Sequence, residues 1–150
     1  MLRTPCAHLL LTVVLLGAGA GVSAGEWAAA MRDTGEYTIH YNAMPASALE
    51  PWVAERYGLP RTDDHCVVTV AVIDNQTGKP VDAAVTVSAV RADGRMYQLE
   101  MRPITDAGAM YYVGEAPLES AGAIDFTLQV RPRQAQMPAT VRFQREFPGG

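Results

Sequence analysis

The chain has 150 residues, with 12 Lys and Arg against 16 Asp and Glu and a formal charge of −4. The two signs are interspersed without a charged block, which excludes the basic stripe that nucleic acid requires and gives no pull toward an anionic membrane surface. Two cysteines, Cys6 and Cys66, are too few for a disulfide framework.

Residues 1–24 have the layout of a signal peptide. Arg3 supplies a short positive region, Leu9 to Leu16 an apolar one, and Val22-Ser23-Ala24 a small-residue cleavage site. An uncleaved anchor needs about 20 apolar residues in helix, and Gly17, Gly19 and Gly21 make a poor one. The expectation is an exported protein, periplasmic or secreted, mature from about Gly25 and not inserted in the membrane afterwards. Without Arg3, eleven basic side chains face sixteen acidic ones, a charge of −5. The remaining 126 residues suit one domain, large enough to bury a core without metal or disulfide staples.

Residues 25–35 form a lead-in with no clear period, expected to be irregular, and residues 36–150 a single domain. Glu36 to Asn42 alternates with period two, placing Tyr37, Ile39 and Tyr41 on one face and Thr38, His40 and Asn42 on the other. Pro45 marks a turn. A helix then runs to about Tyr57, begun either by a Ser47–Glu50 capping box or by Glu50 as cap with Pro51 in the first position. Leu49, Trp52, Val53 and Tyr57 make one stripe, while Gly58 and Pro60 end the helix. So short a helix must be docked, and Trp52 over an end or edge of a sheet is the expected anchor.

The rest is strand. His65 to Asp74 is apolar on both faces, Cys66, Val68, Val70 and Val72 against Val67, Thr69, Ala71 and Ile73, as in a central strand. Val81 to Arg91, Met96 to Arg102, Ala109 to Ala116, Ala123 to Arg131 and Ala139 to Phe147 follow, separated by turn residues. Between Arg91 and Arg95, a three-residue loop Ala92-Asp93-Gly94 keeps one apolar face. It sets Val87 opposite Leu99 and needs Gly94 at positive φ. About seven short strands with one short α-helix after the first predict an all-β, immunoglobulin-like β-sandwich.

His40-Tyr41-Asn42-Ala43, followed by the series Leu49-x-Pro51-x-x-Ala54-x-x-Tyr57-Gly58-x-x-Arg61, resembles the domain of unknown function 4426 family of secreted bacterial proteins. Tyr111-Tyr112 and Phe143-Gln144-Arg145-Glu146-Phe147 are similar to its pattern more loosely. The chain departs from it at Thr62, where an Arg-Ser pair is expected, and in the valines that open the next strand. That family has no assigned activity, so the resemblance implies compartment and shape rather than chemistry.

Candidate chemistry is sparse. Asp63-Asp64-His65-Cys66 is the one local cluster of metal-ligand types, but adjacent strand residues point to opposite faces, so no metal is expected. No G-x-S-x-G elbow or Gly-rich phosphate loop occurs, and no cofactor is expected. Cys66 among valines reads as a buried thiol. His40, Asn42 and Arg61 form the candidate binding surface. The functional expectation is a non-enzymatic binding or interaction module for an envelope protein or small ligand. A hydrolase or metal-dependent enzyme using His40, Asp64 and His65 is the alternative.

Overall fold

The structure, a computed structural model, describes residues 29–148; the expected signal peptide lies outside that range. Two antiparallel sheets face each other. The first sheet runs in the order β1 (Ala30–Asp33), β2 (Tyr37–Pro45), β3 (His65–Asp74), β7 (Ala109–Pro117), β6 (Arg102–Asp106). The second runs β5 (Met96–Leu99), β4 (Ala83–Arg91), β8 (Gly122–Pro132), β9 (Ala139–Phe147). The expected β-sandwich is therefore present, with nine strands among the described residues rather than about seven. Two differences account for the count. Residues 30–33 of the lead-in are strand, paired with Thr38 to Tyr41 across a turn at Gly35. Met96 to Arg102, read as one strand, is divided: β5 ends at Leu99, and the chain crosses at Glu100-Met101 to begin β6 in the other sheet.

β3 explains the layering. Its residues 66–72 are all buried. Cys66, Val68, Val70 and Val72 point between the sheets with Ile39, Val87, Phe126, Leu128 and Phe147. Val67 and Ala71 point the other way, into a second core with Leu49, Val53, Tyr57 and Tyr111. A strand apolar on both faces needs a cover on both, and the helix supplies the outer one.

That helix, α1 (Pro51–Tyr57), has Glu50 as cap and Pro51 in its first turn. Ser47 lies instead in a preceding 3₁₀ turn, and the helix cap has no side-chain hydrogen bond. Gly58 closes α1 at φ +63°, and the Leu59 amide donates to the Ala54 carbonyl at 2.8 Å, a Schellman-type ending. Two expectations need correction here. The helix lies on the outer face of the first sheet, not on an end or edge, and Trp52 is 60% exposed. At about 100° per residue, Leu49, Val53 and Tyr57 already fill the inward stripe, and Ala54 widens it away from Trp52. Arg102 donates to the Tyr57 carbonyl at 2.7 Å, placing a cation on the helix C-terminus and tying α1 to β6.

The β4–β5 hairpin has the expected register. Val87 sits opposite Leu99, the Arg91 amide donates to the Arg95 carbonyl at 2.9 Å, and Gly94 has φ +85°.

Candidate functional site

The outer face of the first sheet holds His40 and Asn42. His40 lies between Met31 of β1 and Ala71 of β3 and is partly buried; that burial pulls its pKa below the ordinary 6.5. Asn42 is 2% exposed, and its Oδ1 accepts a hydrogen bond from Arg145 Nη2 at 3.2 Å; both residues make further interactions. Arg61 is spent elsewhere. Its Nε donates to the Leu49 carbonyl at 2.8 Å, clamping the segment that follows α1 to the one that precedes it. His40 and Asn42 thus share a strand face, whereas the Arg61–Leu49 bond is structural.

Asp64 and His65 form an exposed pair, with Asp64 Oδ1 2.8 Å from His65 Nδ1. Hydrogen bonds from Thr62 and then His65 hold the Asp64 carboxyl below its usual range. His40 cannot join them. It stands opposite Ala71, six residues along β3 from His65, or roughly 20 Å at strand spacing. Cys66 is fully buried, and burial pushes its thiol up to about 12. At neutral pH it is protonated and enclosed, the opposite of a nucleophile's setting. Among the described residues, no group of three or more His, Cys, Asp or Glu can hold a metal ion.

The polar cluster on α1 is a fastening. Asp106 accepts from Tyr57 Oη at 2.5 Å and from Arg56 Nη2 at 2.7 Å. The tyrosine bond holds the Asp106 carboxyl low, and burial pushes the Tyr57 phenol up. Two clefts flank Pro132 at the other end of the sandwich. One, of about 560 Å³, lies between the β1–β2 turn and the β8–β9 loop, with Glu36, Tyr37, Gln134 and Met137 in its wall. The other, about 410 Å³, is lined by Asp82, Tyr112 and Arg131 among others. Their sizes suit a small ligand, but neither contains His40, Asn42 or Arg61.

Sequence reasoning missed two placements. Met31 stands directly across from His40, invisible while residues 25–35 had no assigned strand. Asp33-Thr34-Gly35 beside an alternating run was the available hairpin signal. Arg145 lies on the inward face of β9, between Phe143 and Phe147, and connects that strand to Asn42. The two stretches, distant in sequence, meet there.

The burial of His40 gives an expected pH response. A lowered pKa means the folded state binds fewer protons than the unfolded chain, so stability rises with pH. The contribution is complete above 6.5 and is lost as pH falls below it. Melting temperatures taken from about pH 7.5 to about pH 5.5 should fall more steeply for the parent than for His40→Gln. Parallel curves would show that His40 is not held neutral.

No curated protein matches the chain. The crystal structure of a DUF4426 family protein from Pseudomonas aeruginosa PAO1 is similar at 31% identity and TM-score 0.71, over 81% of this chain and 96% of that one. FetP of uropathogenic E. coli strain F11, recombinantly expressed in the periplasm of E. coli, shares the fold at 12% identity and TM-score 0.58, over 81% and 94% of the two chains. A copper-bound variant of FetP gives 12% and 0.59, over 83% and 97%. The family description "Domain of unknown function (DUF4426)" matches residues 31–148, and with it the chain belongs to the DUF4426 family.

Proposed function

We propose that the protein is an exported, non-enzymatic interaction module that docks a partner along residues 139–144 at the edge of β9. One observation carries this reading. β9 is nine residues long and pairs with β8 on one side, while no described strand pairs with its other side. The other sheet edges, β1, β5 and β6, are four, four and five residues. Short edges are protected, whereas a long open one offers a row of backbone donors and acceptors to an added strand. The dispersal of His40 from Asp64 and His65, and the enclosed thiol of Cys66, supply no matching case for catalysis.

The test is site-specific photocrosslinking in extracts of the native envelope. A photoreactive residue at Arg142, exposed on β9, should yield discrete adducts. The same residue at Gln129, exposed on β8 and paired on both sides, should not. Equal labelling from both, or none from Arg142, refutes the docking edge. Folded protein should also resist a water-soluble disulfide reagent at Cys66 until denaturant is added; rapid labelling would revive the catalytic reading.

A second reading concerns metal. FetP has been seen with copper bound, and here Met31 and His40 form a cross-strand pair with Met31 61% exposed. Side chains directly opposite on one face have Cβ atoms about 5 Å apart, and a thioether with an imidazole suits reduced copper. The residues fit that ion as a two-donor site and fit no harder metal. Competition against a chromophoric Cu(I) chelator should weaken in both His40→Ala and Met31→Leu. Unchanged competition in both would sink this reading.

A further inference from the structure

We infer that the cleft between the β1–β2 turn and the β8–β9 loop binds a free small organic cation, an ammonium group on an apolar body. This site lies apart from the docking edge and does not depend on it.

Both walls of the cleft are held in place before any ligand arrives. On one side, Asn75 fastens the β1–β2 turn. Its amide donates to the Glu36 carbonyl at 2.9 Å, and its Nδ2 donates to Asp33 Oδ1 at 3.1 Å and to the Gly35 carbonyl at 3.0 Å. Its Oδ1 accepts from Thr38 Oγ1 at 2.7 Å, so one residue grips the turn from both of its strands. On the other side, the Arg133 amide donates to the Asp82 carbonyl and the Ala135 amide to the Pro132 carbonyl, both at 2.9 Å. The chain thus leaves β8 in a fixed turn, and Pro138 restricts its return to β9. Pre-formed walls spare a ligand the cost of ordering them.

The lining selects the charge. Of the residues that wall the cleft, Glu36 alone is charged. It is exposed, and its carboxylate forms no ion pair or hydrogen bond with any described residue. Tyr37 stands next to it in the lining. An unpaired carboxylate beside an aromatic ring favours a cation twice, through charge and through the negative face of the ring. The side chains of Gln134 and Gln136 are likewise unbonded among the described residues, leaving amide oxygens open to the N–H groups of an ammonium. Met137, 78% exposed in the same wall, offers a thioether that adapts to an apolar body of varied shape. The neighbouring cleft beyond Pro132 has the opposite bias, with Arg131 and Arg133 in its wall. The formal charge of −4 on the whole chain also draws cations rather than anions.

Titration of the purified full-length protein with probes of one shape tests this, read by NMR on assigned amides. Phenethylammonium, phenethyl alcohol and hydrocinnamate carry a positive, a neutral and a negative group. The ammonium should shift the amides of Glu36, Tyr37, Gln134 and Met137 to saturation. The alcohol should bind roughly tenfold more weakly, and the carboxylate more weakly still. Glu36→Gln should bring the ammonium level with the alcohol, whereas Glu55→Gln, exposed on α1, should bind as the parent does. Added salt should weaken ammonium binding to the parent and leave Glu36→Gln unmoved. Melting of Glu36→Gln should match the parent, which separates lost recognition from lost fold. The inference is overturned if the ammonium gives no saturable shift, or if the shifts fall outside the cleft. It is equally overturned if the alcohol, or the ammonium with Glu36→Gln, binds as tightly as the ammonium binds the parent.

Discussion

Replacing Phe126 with alanine is expected to cost about 3–5 kcal/mol of stability. Phe126 is 1% exposed and stacks on Phe143, with ring centroids 5.0 Å apart and planes at 17°. Phe147 meets it edge-on at 6.2 Å, and Tyr41 of the other sheet meets Phe143 at 4.8 Å. These four rings bridge β8, β9 and β2, so truncation removes apolar burial and two ring contacts at once and leaves a cavity between stiff sheets. A domain of this size has a stability of about 5–15 kcal/mol in total, so the variant should remain folded but marginal. Urea unfolding measures the loss. Hydrogen exchange should show β9 losing protection first, because the cluster seats β9 against the opposite sheet. A loss below about 1.5 kcal/mol would mean that the aromatic cluster does not hold the layers together.

How much of this was legible in the sequence depended on whether neighbours along the chain decide the outcome. The β4–β5 hairpin was legible because a turn of three residues fixes the pairing locally, and only one register keeps Val87 with Leu99. β3 was legible because an apolar run on both faces has one sensible place, the middle. Trp52 was not. Its angle beside Val53 is set by the helical period, but the inward stripe runs through Val53, Ala54 and Tyr57, and that leaves the large ring on the solvent side. The division of Met96 to Arg102 between two sheets was likewise hidden, since alternation continues through the crossing while the partner strand changes.

The candidate site shows the same limit more sharply. His40 and Asn42 were correctly placed on the face away from Ile39. Their partners, Met31 and Arg145, come from segments that only the tertiary fold brings near. Arg61 belongs to the resemblance motif, yet its Nε donates to a backbone carbonyl twelve residues earlier. Here a motif position records how the helix is framed. In this chain chemistry-bearing residue types are scattered, and the edge position of β9, on which the proposed docking rests, follows from strand order that no single residue type announces.

Gly114→Ala is expected to destabilise the protein by about 1–3 kcal/mol, although alanine suits a strand better than glycine. Gly114 is buried in β7 on the face that meets the other sheet, beneath the point where the chain passes from β5 to β6. A methyl there would run into Met101 Sδ and lie 3.1 Å from the Glu100 carbonyl oxygen and 3.3 Å from Leu99 Cβ. The thioether is the flexible end of a side chain and can swing aside; the carbonyl belongs to the crossing backbone and cannot move without shifting both sheets. The two obstacles separate in a double-mutant cycle. Met101→Ala in the Gly114→Ala background should recover about 1 kcal/mol through relief of the sulfur contact, leaving a residual loss set by the carbonyl. Chemical denaturation of the parent, the two single variants and the double variant gives all four corners. If Gly114→Ala lies within about 0.5 kcal/mol of the parent, the crossing is not closely packed on β7, and glycine at this position has another cause.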